Sequence, residues 1–417
     1  MKEFVVLDRS CYRRREEIAM VRNFLRANAW RESGCLERAD LVLFFSCAGL
    51  RHLIEARLQE IAKTGRRLKP GAELIVGSCL PGMDRASLDR VFQGKSITPT
   101  SFQALNGLPG ITKRIETMPA IWGEAAGCHA WPRPKWNDTV RMLTRNAILQ
   151  LLKLGVSIHS SHLLKRAILG LQRRGTVAFS IAAGCARRCA YCAKPLASGP
   201  VRSKPIEAVV QSLQEGLRLG YRAFDLYADS IGNYGLDQRV TFGDLLARLL
   251  RLKGRFSLGL FDVHPQDFLR DFDSIRRLCR AGRLHYLYVP VQSGNGRILK
   301  LMHRSCDLSE LIEKLTEIRR CPHVFMQTGI IVGFPGETEA EFEDTIRFLR
   351  RVDFDDVYVH LYCDMPDTEA SRLTERVGEA DLWRRLSAIE QAGFRYNPVT
   401  ARNEWEKTLS RRDEAAL

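Results

Sequence analysis

The sequence predicts an α/β protein: an N-terminal three-layer parallel α/β domain followed by a partial (β/α)6 barrel of TIM type. Three observations lead there. Near the start, the short aliphatic runs FVVL (4–7), LVLFF (41–45) and ELIVG (73–77) alternate with segments of helical period. From residue 176 six more apolar runs recur, at 176–183, 221–228, 255–263, 284–291, 323–333 and 355–363, with amphipathic stretches such as PIEAVVQSLQEGLRLG between them. In both halves cysteines stand just beyond strand ends, where α/β folds place their chemistry.

With 417 residues, 45% of them hydrophobic, the chain is long enough for two or three proper cores. No run approaches the roughly 18 apolar residues that a membrane span needs, and MKEFVVLDRSC is too short an apolar start for a signal peptide. A cytoplasmic location without membrane insertion is therefore expected. Twelve cysteines in such a chain point to metal or redox chemistry rather than to disulfide staples. The formal charge of +16 suits phosphate-bearing partners, and equally an arginine-rich solvated surface, so charge alone does not choose a function.

Taken in order, residues 1–115 form the first α/β domain. Residues 116–175 contain WPRPKWND (131–138), whose prolines bar regular structure, followed by two basic amphipathic helix candidates. Their cations (Arg141, Arg145, Lys153, Lys165, Arg166, Arg173, Arg174) suit a helical linker packed on a neighbour, or contact with nucleic acid or a membrane surface. Six β/α units over 176–371 imply the partial barrel, and 372–417 read as a helical tail without strand alternation.

The stretch GCARRCAYC (184–192) places Cys185, Cys189 and Cys192 on a loop after the first barrel strand. Thiolates this close select zinc or an iron–sulfur cluster, and chance yields only about 0.01 such triplets at this composition. Structural zinc wants four ligands, usually as two separated C-x-x-C pairs, and no second pair follows. Three thiolates on a cubane leave one iron open to a substrate or cofactor. With Tyr191 before the last cysteine, C-x3-C-x2-C resembles the radical S-adenosylmethionine (SAM) superfamily. That resemblance implies a [4Fe-4S] cluster that binds SAM at its open iron. It cleaves SAM with one electron from a flavodoxin or ferredoxin, giving a hydrogen-abstracting 5′-deoxyadenosyl radical.

Cys11, Cys47 and Cys79 form a second trio, each just after one of the first three strands. In a parallel sheet these positions converge at one edge. They suit a second three-thiolate cluster, a zinc site completed by water or a distant histidine, or separate small core residues. A three-cysteine α/β domain before such a barrel resembles the radical SAM methylthiotransferases, which insert sulfur into an unactivated C–H bond of a tRNA adenosine or a ribosomal-protein aspartate and methylate it. Related stretches continue through GPVRSKPIEAVV, ADSIGNYGLD, VPVQSGNGRILKLMHR, GIIVGFPGETEAEFEDT and YCDMPDT. By that resemblance Gly329, Ile331, Gly333 and Gly336 lie along SAM, and Gln292, Ser293, Asp229, Ser230 and Asn233 offer polar groups for its ribose and methionine. Two [4Fe-4S] clusters and SAM are the implied cofactors.

The chain departs from the family at Arg14, Glu17, Phe45, Gly329 and the Asp229–Ser230 pair. Its last residues show no sign of the C-terminal β-barrel RNA-binding module. A nucleoside, nucleotide or natural-product intermediate is accordingly the expected substrate, with tRNA or ribosomal protein as the alternative. Rival readings make the second cluster an electron relay for dehydrogenation or epimerisation, or make both trios structural in an iron–sulfur or zinc RNA-binding protein. The other cysteines (Cys35, Cys128, Cys279, Cys306, Cys321, Cys363) read as core or surface thiols, with Cys363 nearest the presumed active face. His264 and His360 sit at strand ends as candidate substrate contacts.

Overall fold

A computed structural model describes residues 2–49, 51–118 and 176–394. The basic linker cations Arg141 to Arg174, Cys128 and the last twenty-three residues lie outside them. The chain divides into two compact units, one taken from Met1–His129, Gly184–Pro200 and Cys363–Ser371, the other from Ala130–Ala183, Val201–Tyr362 and Arg372–Leu417. The second cysteine-rich loop and the segment after the last strand thus belong with the N-terminal domain rather than with the strands that flank them in sequence.

The first unit holds a five-stranded parallel sheet. Its strands are β1 (Glu3–Arg9), β2 (Arg31–Glu32), β3 (Leu41–Ser46), β4 (Glu73–Ser78) and β5 (Ser96–Ile97), in the order β2-β1-β3-β4-β5. The three strands read from sequence are its middle, and two short strands extend its edges. β3 is buried along its whole length because helices cover both faces. Leu41, Leu43 and Phe45 pack with Ile18, Val21 and Phe24 of helix Arg15–Ala27. Val42 and Phe44 pack with Leu58 and Ile61 of helix Arg51–Arg66 on the other side. The period of two along the strand makes that division.

The second unit carries six parallel strands in the order β13-β12-β11-β10-β9-β6. These are β6 (Thr176–Ser180), β9 (Ala223–Tyr227), β10 (Ser257–Leu260), β11 (Leu284–Gln292), β12 (Phe325–Val332) and β13 (Asp356–Leu361). β7 (Ala182–Ala183) and β8 (Arg202–Ser203) form a small antiparallel ribbon. Each of the six apolar runs becomes one strand, and helices such as Ile206–Arg218 and Glu339–Val352 make the crossovers. β13 shows the two faces plainly: Val357, Val359 and Leu361 are buried under helices, while Asp356, Tyr358 and His360 are half-exposed on the other side. Beyond β13 the helix Glu379–Gln391 follows.

Cys279 and Cys321, read in sequence as unpaired thiols, are joined in a disulfide with Cα atoms 6.8 Å apart. Their separation of 42 residues carries no local signal of that pairing. Among the described residues no helix is long and apolar enough to cross a membrane.

Candidate active site

The sheet of the first unit reverses its winding between β1 and β3, and open α/β sheets bind ligands at the carboxyl ends of such a pair. Cys11 and Cys47 stand there. Arg9, Ser46 and Ser78 lie in register across β1, β3 and β4. The ladder runs one residue further: Cys47 N donates to Arg9 O at 3.1 Å and Cys79 N to Ser46 O at 3.1 Å. Strand register therefore sets the Cys47 and Cys79 backbones side by side. The Cys47 thiol hydrogen-bonds to Cys11, and this contact, ahead of the Arg13 and Lys194 cations, brings the Cys11 thiol down to about 5 against the opposing pull of burial. The same hydrogen bond, then burial and the Cys11 charge, push Cys47 upward. The Arg13 and Lys194 cations favour the thiolate form of Cys11, the form that ligates metal.

Cys185, Cys189 and Cys192 belong to this same unit. Gly184 begins their loop at φ 86°, and a Cβ there would collide with the Pro200 carbonyl. The closed loop is held by Cys185 N donating to Gly199 O at 3.2 Å and Cys192 N to Cys189 O at 3.0 Å. Arg187 N donates to Cys185 Sγ at 3.4 Å. Burial, followed by the neighbouring Cys192 and Cys189, pushes the Cys185 thiol up to about 11.

Directly after Cys192, helix Lys194–Ser198 packs on helix Leu80–Met83, which directly follows Cys79. A Cβ on Gly82 would stand 2.6 Å from the Ala197 Cα, so these backbones meet only because residue 82 is glycine. Ala193 and Ala197 share one core with Cys79, Leu80 and Met365, and Cys363 packs against it. Arg14, noted in sequence only as a departure, is buried and reaches Ser198 Oγ at 2.6 Å while pairing with Glu17 at 2.9 Å. Its partner lies 184 residues away, so no local pattern announces the contact.

Both trios offer the donor set of an iron–sulfur cluster, soft thiolates with backbone N–H groups aimed at sulfur (Gly49 N to Cys47 Sγ at 3.4 Å in the first). A zinc ion with Zn–S near 2.3 Å would draw its sulfurs to within about 4 Å of one another. Among the described residues no three His, Cys, Asp or Glu side chains gather closely enough to hold a single metal ion.

In the second unit the SAM candidates lie at strand ends. Gln292 closes β11 at φ 77°, after a shift in the β11–β12 register, and its buried Oε1 has no hydrogen-bond partner among the described residues. The positive φ and the unsatisfied buried acceptor make Gln292 a candidate ligand contact. Ser293 is engaged structurally, its Oγ meeting Thr345 Oγ1 at 3.3 Å and accepting from Asn295 N at 3.2 Å. Asp229, Ser230 and Asn233 are buried beyond β9. Gly329 lets the Tyr288 hydroxyl lie against the β12 backbone, since a Cβ there would stand 2.6 Å from it. Tyr288 was not read from sequence, nor was Tyr358, which stacks on His360 at 5.4 Å between ring centres. Alternation along β11 and β13 was the available signal. His264 instead caps helix Pro265–Arg270, its Nδ1 accepting from Gln266 N at 3.3 Å.

The radical SAM superfamily model matches residues 179–349. A tRNA-2-methylthio-N(6)-dimethylallyladenosine synthase of Moorella thermoacetica is 34% identical over 52% of this chain and 49% of its own length. The ribosomal protein uS12 methylthiotransferase RimO of Thermotoga sp. is 35% identical over 51% and 50%. A synthase of Caldicellulosiruptor saccharolyticus, with the same name as the first, is 27% identical over 90% and 74%. The chain spans about half the length of the first two relatives. Among solved structures, the radical SAM methyltransferase TsrM of Kitasatospora setae shares the fold with a TM-score of 0.59 at 13% identity, over 89% of this chain and 75% of that one. Residues 179–349 thus carry a radical SAM domain, the mark of an enzyme family whose cofactors are a [4Fe-4S] cluster and SAM, in a chain similar to the radical SAM methylthiotransferases.

Proposed function

We propose that this chain is a sulfur-inserting radical SAM enzyme of methylthiotransferase type, acting on an unactivated C–H carbon of a nucleoside or natural-product intermediate. The observation that carries this reading is the gathering of six cysteines, in two trios, on one compact unit. In it Cys185, Cys189 and Cys192 hold one [4Fe-4S] cluster, and Cys11, Cys47 and Cys79 act as ligands of a second. When bound, the first cluster supplies one-electron cleavage of SAM and the second supplies sulfur.

The protein's own residues do the rest. Each trio gives three thiolates and leaves one corner for an exogenous ligand. Arg13 and Lys194 favour the charged form of Cys11. Gln292 has a buried carbonyl oxygen without a donor among the described residues, which a hydroxyl or ammonium of SAM would satisfy. By the family resemblance Gly329 and Ile331 lie on the strand beside the adenine, and Gly333, Gly336, Asp229, Ser230, Asn233, Ser293 and Tyr191 are the further SAM candidates. Electrons come from a flavodoxin- or ferredoxin-like donor. The 1–115 region serves as auxiliary-cluster carrier, and 176–371 as the SAM domain. The names of the relatives favour a second reading, in which the acceptor is tRNA or a ribosomal protein.

The test uses anaerobically reconstituted enzyme, SAM and a reductant, with nucleosides, total tRNA and ribosomal protein as separate acceptors. Products are read by mass spectrometry. Cys47→Ala is expected to form 5′-deoxyadenosine within about threefold of wild type while losing the sulfur-bearing product by about a hundredfold or more. Thiolated product from Cys47→Ala would remove the sulfur-donor role. A product dehydrogenated or epimerised without added sulfur would replace it with electron transfer.

A further inference from the structure

We propose that Arg385, on the helix after the last strand, is a positioning residue that holds the Gly333–Glu337 turn in its SAM-binding shape; the inference rests on the reading that the end of β12 binds SAM. In sequence this helix is merely part of a polar tail. In the structure it is the outer clamp of the glycine turn. Arg385 Nη1 meets Glu337 Oε2 at 2.8 Å, with both side chains almost wholly buried. Its Nη2 donates to the Glu337 carbonyl at 3.0 Å, its Nε meets Glu339 at 3.0 Å, and its guanidinium lies 5.2 Å from the centre of the Phe342 ring.

Glu337 passes this grip to the turn, because its Oε2 also accepts from Gly333 N at 3.0 Å. Gly333 stands at φ 79°, and a Cβ there would run into Leu382, one helical turn before Arg385. Gly336, at φ 78°, donates its N–H to the Glu375 carbonyl at 2.7 Å, on the segment leading into the helix. Arg297 Nη2 donates to the Gly336 carbonyl at 2.6 Å from the other side. Both left-handed glycines are therefore tied to residues 375–385 by hydrogen bonds or packing. A turn rich in glycine has many conformations open to it, and binding affinity is lost when they must be restricted at the moment of binding. A buried bidentate guanidinium restricts them beforehand.

The experiment measures SAM binding by equilibrium dialysis on full-length, cluster-reconstituted protein, together with KM and kcat for 5′-deoxyadenosine formation, iron content and melting temperature. Arg385→Met is expected to weaken SAM binding about tenfold, with kcat at saturating SAM changed less than about twofold. Arg385→Met combined with Glu337→Gln, which leaves no lone buried charge, is expected to recover melting temperature and part of the affinity. Should Arg385→Met fail to fold, Arg385→Lys serves the same measurement, with a rise in Kd of about threefold because it keeps the charge and loses the fork. Ile331→Asn is the control for the underlying reading. A lower melting temperature with unchanged SAM affinity makes Arg385 a stability residue only and overturns the proposal. Unchanged affinity in Ile331→Asn overturns the proposal together with its premise. Weaker binding in Ile331→Asn but not in the Arg385 variants overturns the proposal alone.

Discussion

Glu337 shows how one residue links the acid–base chemistry of the chain to its stability. Burial, acting against the Arg385 charge and the Gly333 N–H, raises its carboxyl to about 7. The unfolded chain releases that proton near the ordinary value of 4.5, and the folded chain keeps it until about 7. In that window the folded state binds more protons, so the stability contributed by this group is complete below 4.5 and is lost as pH rises through 7. Glu337→Gln is expected to remove this dependence, which in wild type amounts to about 2 kcal/mol between pH 5.5 and pH 8. Melting temperatures of both proteins at pH 5.5 and pH 8 check it, and parallel pH profiles would refute it. His264 gives the opposite lesson: a histidine at a strand end is engaged as a helix cap.

At the scale of elements, the two short helices that leave Cys79 and Cys192 matter most. Leu80–Met83 and Lys194–Ser198 touch backbone to backbone at Gly82 and Ala197, and Arg14 ties the start of helix Arg15–Ala27 to Ser198 beside them. Gly82→Val would push them apart. Overpacking of this kind costs about 1–3 kcal/mol, so a lower melting temperature is expected, together with an altered electron paramagnetic resonance line shape of the reduced cluster proposed for Cys185, Cys189 and Cys192. Both are measurable on reconstituted protein, and wild-type values for both would show that the helices do not bear on each other. The strands needed less tertiary information. LVLFF announced a buried strand by composition, and β3 is buried on both faces. The edge strands β2 and β5, of two residues each, were too short to leave a periodic trace.

For the whole molecule, the assignment of both trios to one unit predicts an iron count. Reconstituted wild type is expected to carry about eight irons, and the triple variant Cys11→Ala, Cys47→Ala, Cys79→Ala about four, with SAM cleavage retained. Iron and sulfide analysis reads this directly, and about four irons in properly reconstituted wild type would end the two-cluster reading. The sequence by itself determined the alternation of strands and helices, the six parallel strands and the two cysteine trios. All of these are written in spacing and period, which act between near neighbours along the chain. Only the tertiary structure decided that the Cys185–Cys192 loop belongs with the N-terminal sheet, that Arg14 meets Ser198, that Cys279 pairs with Cys321, and that Arg385 clamps the glycine turn. The physical reason is common to them. Periodicity says which face of an element is apolar, while the partner of a buried cation or thiol is fixed by how distant elements dock.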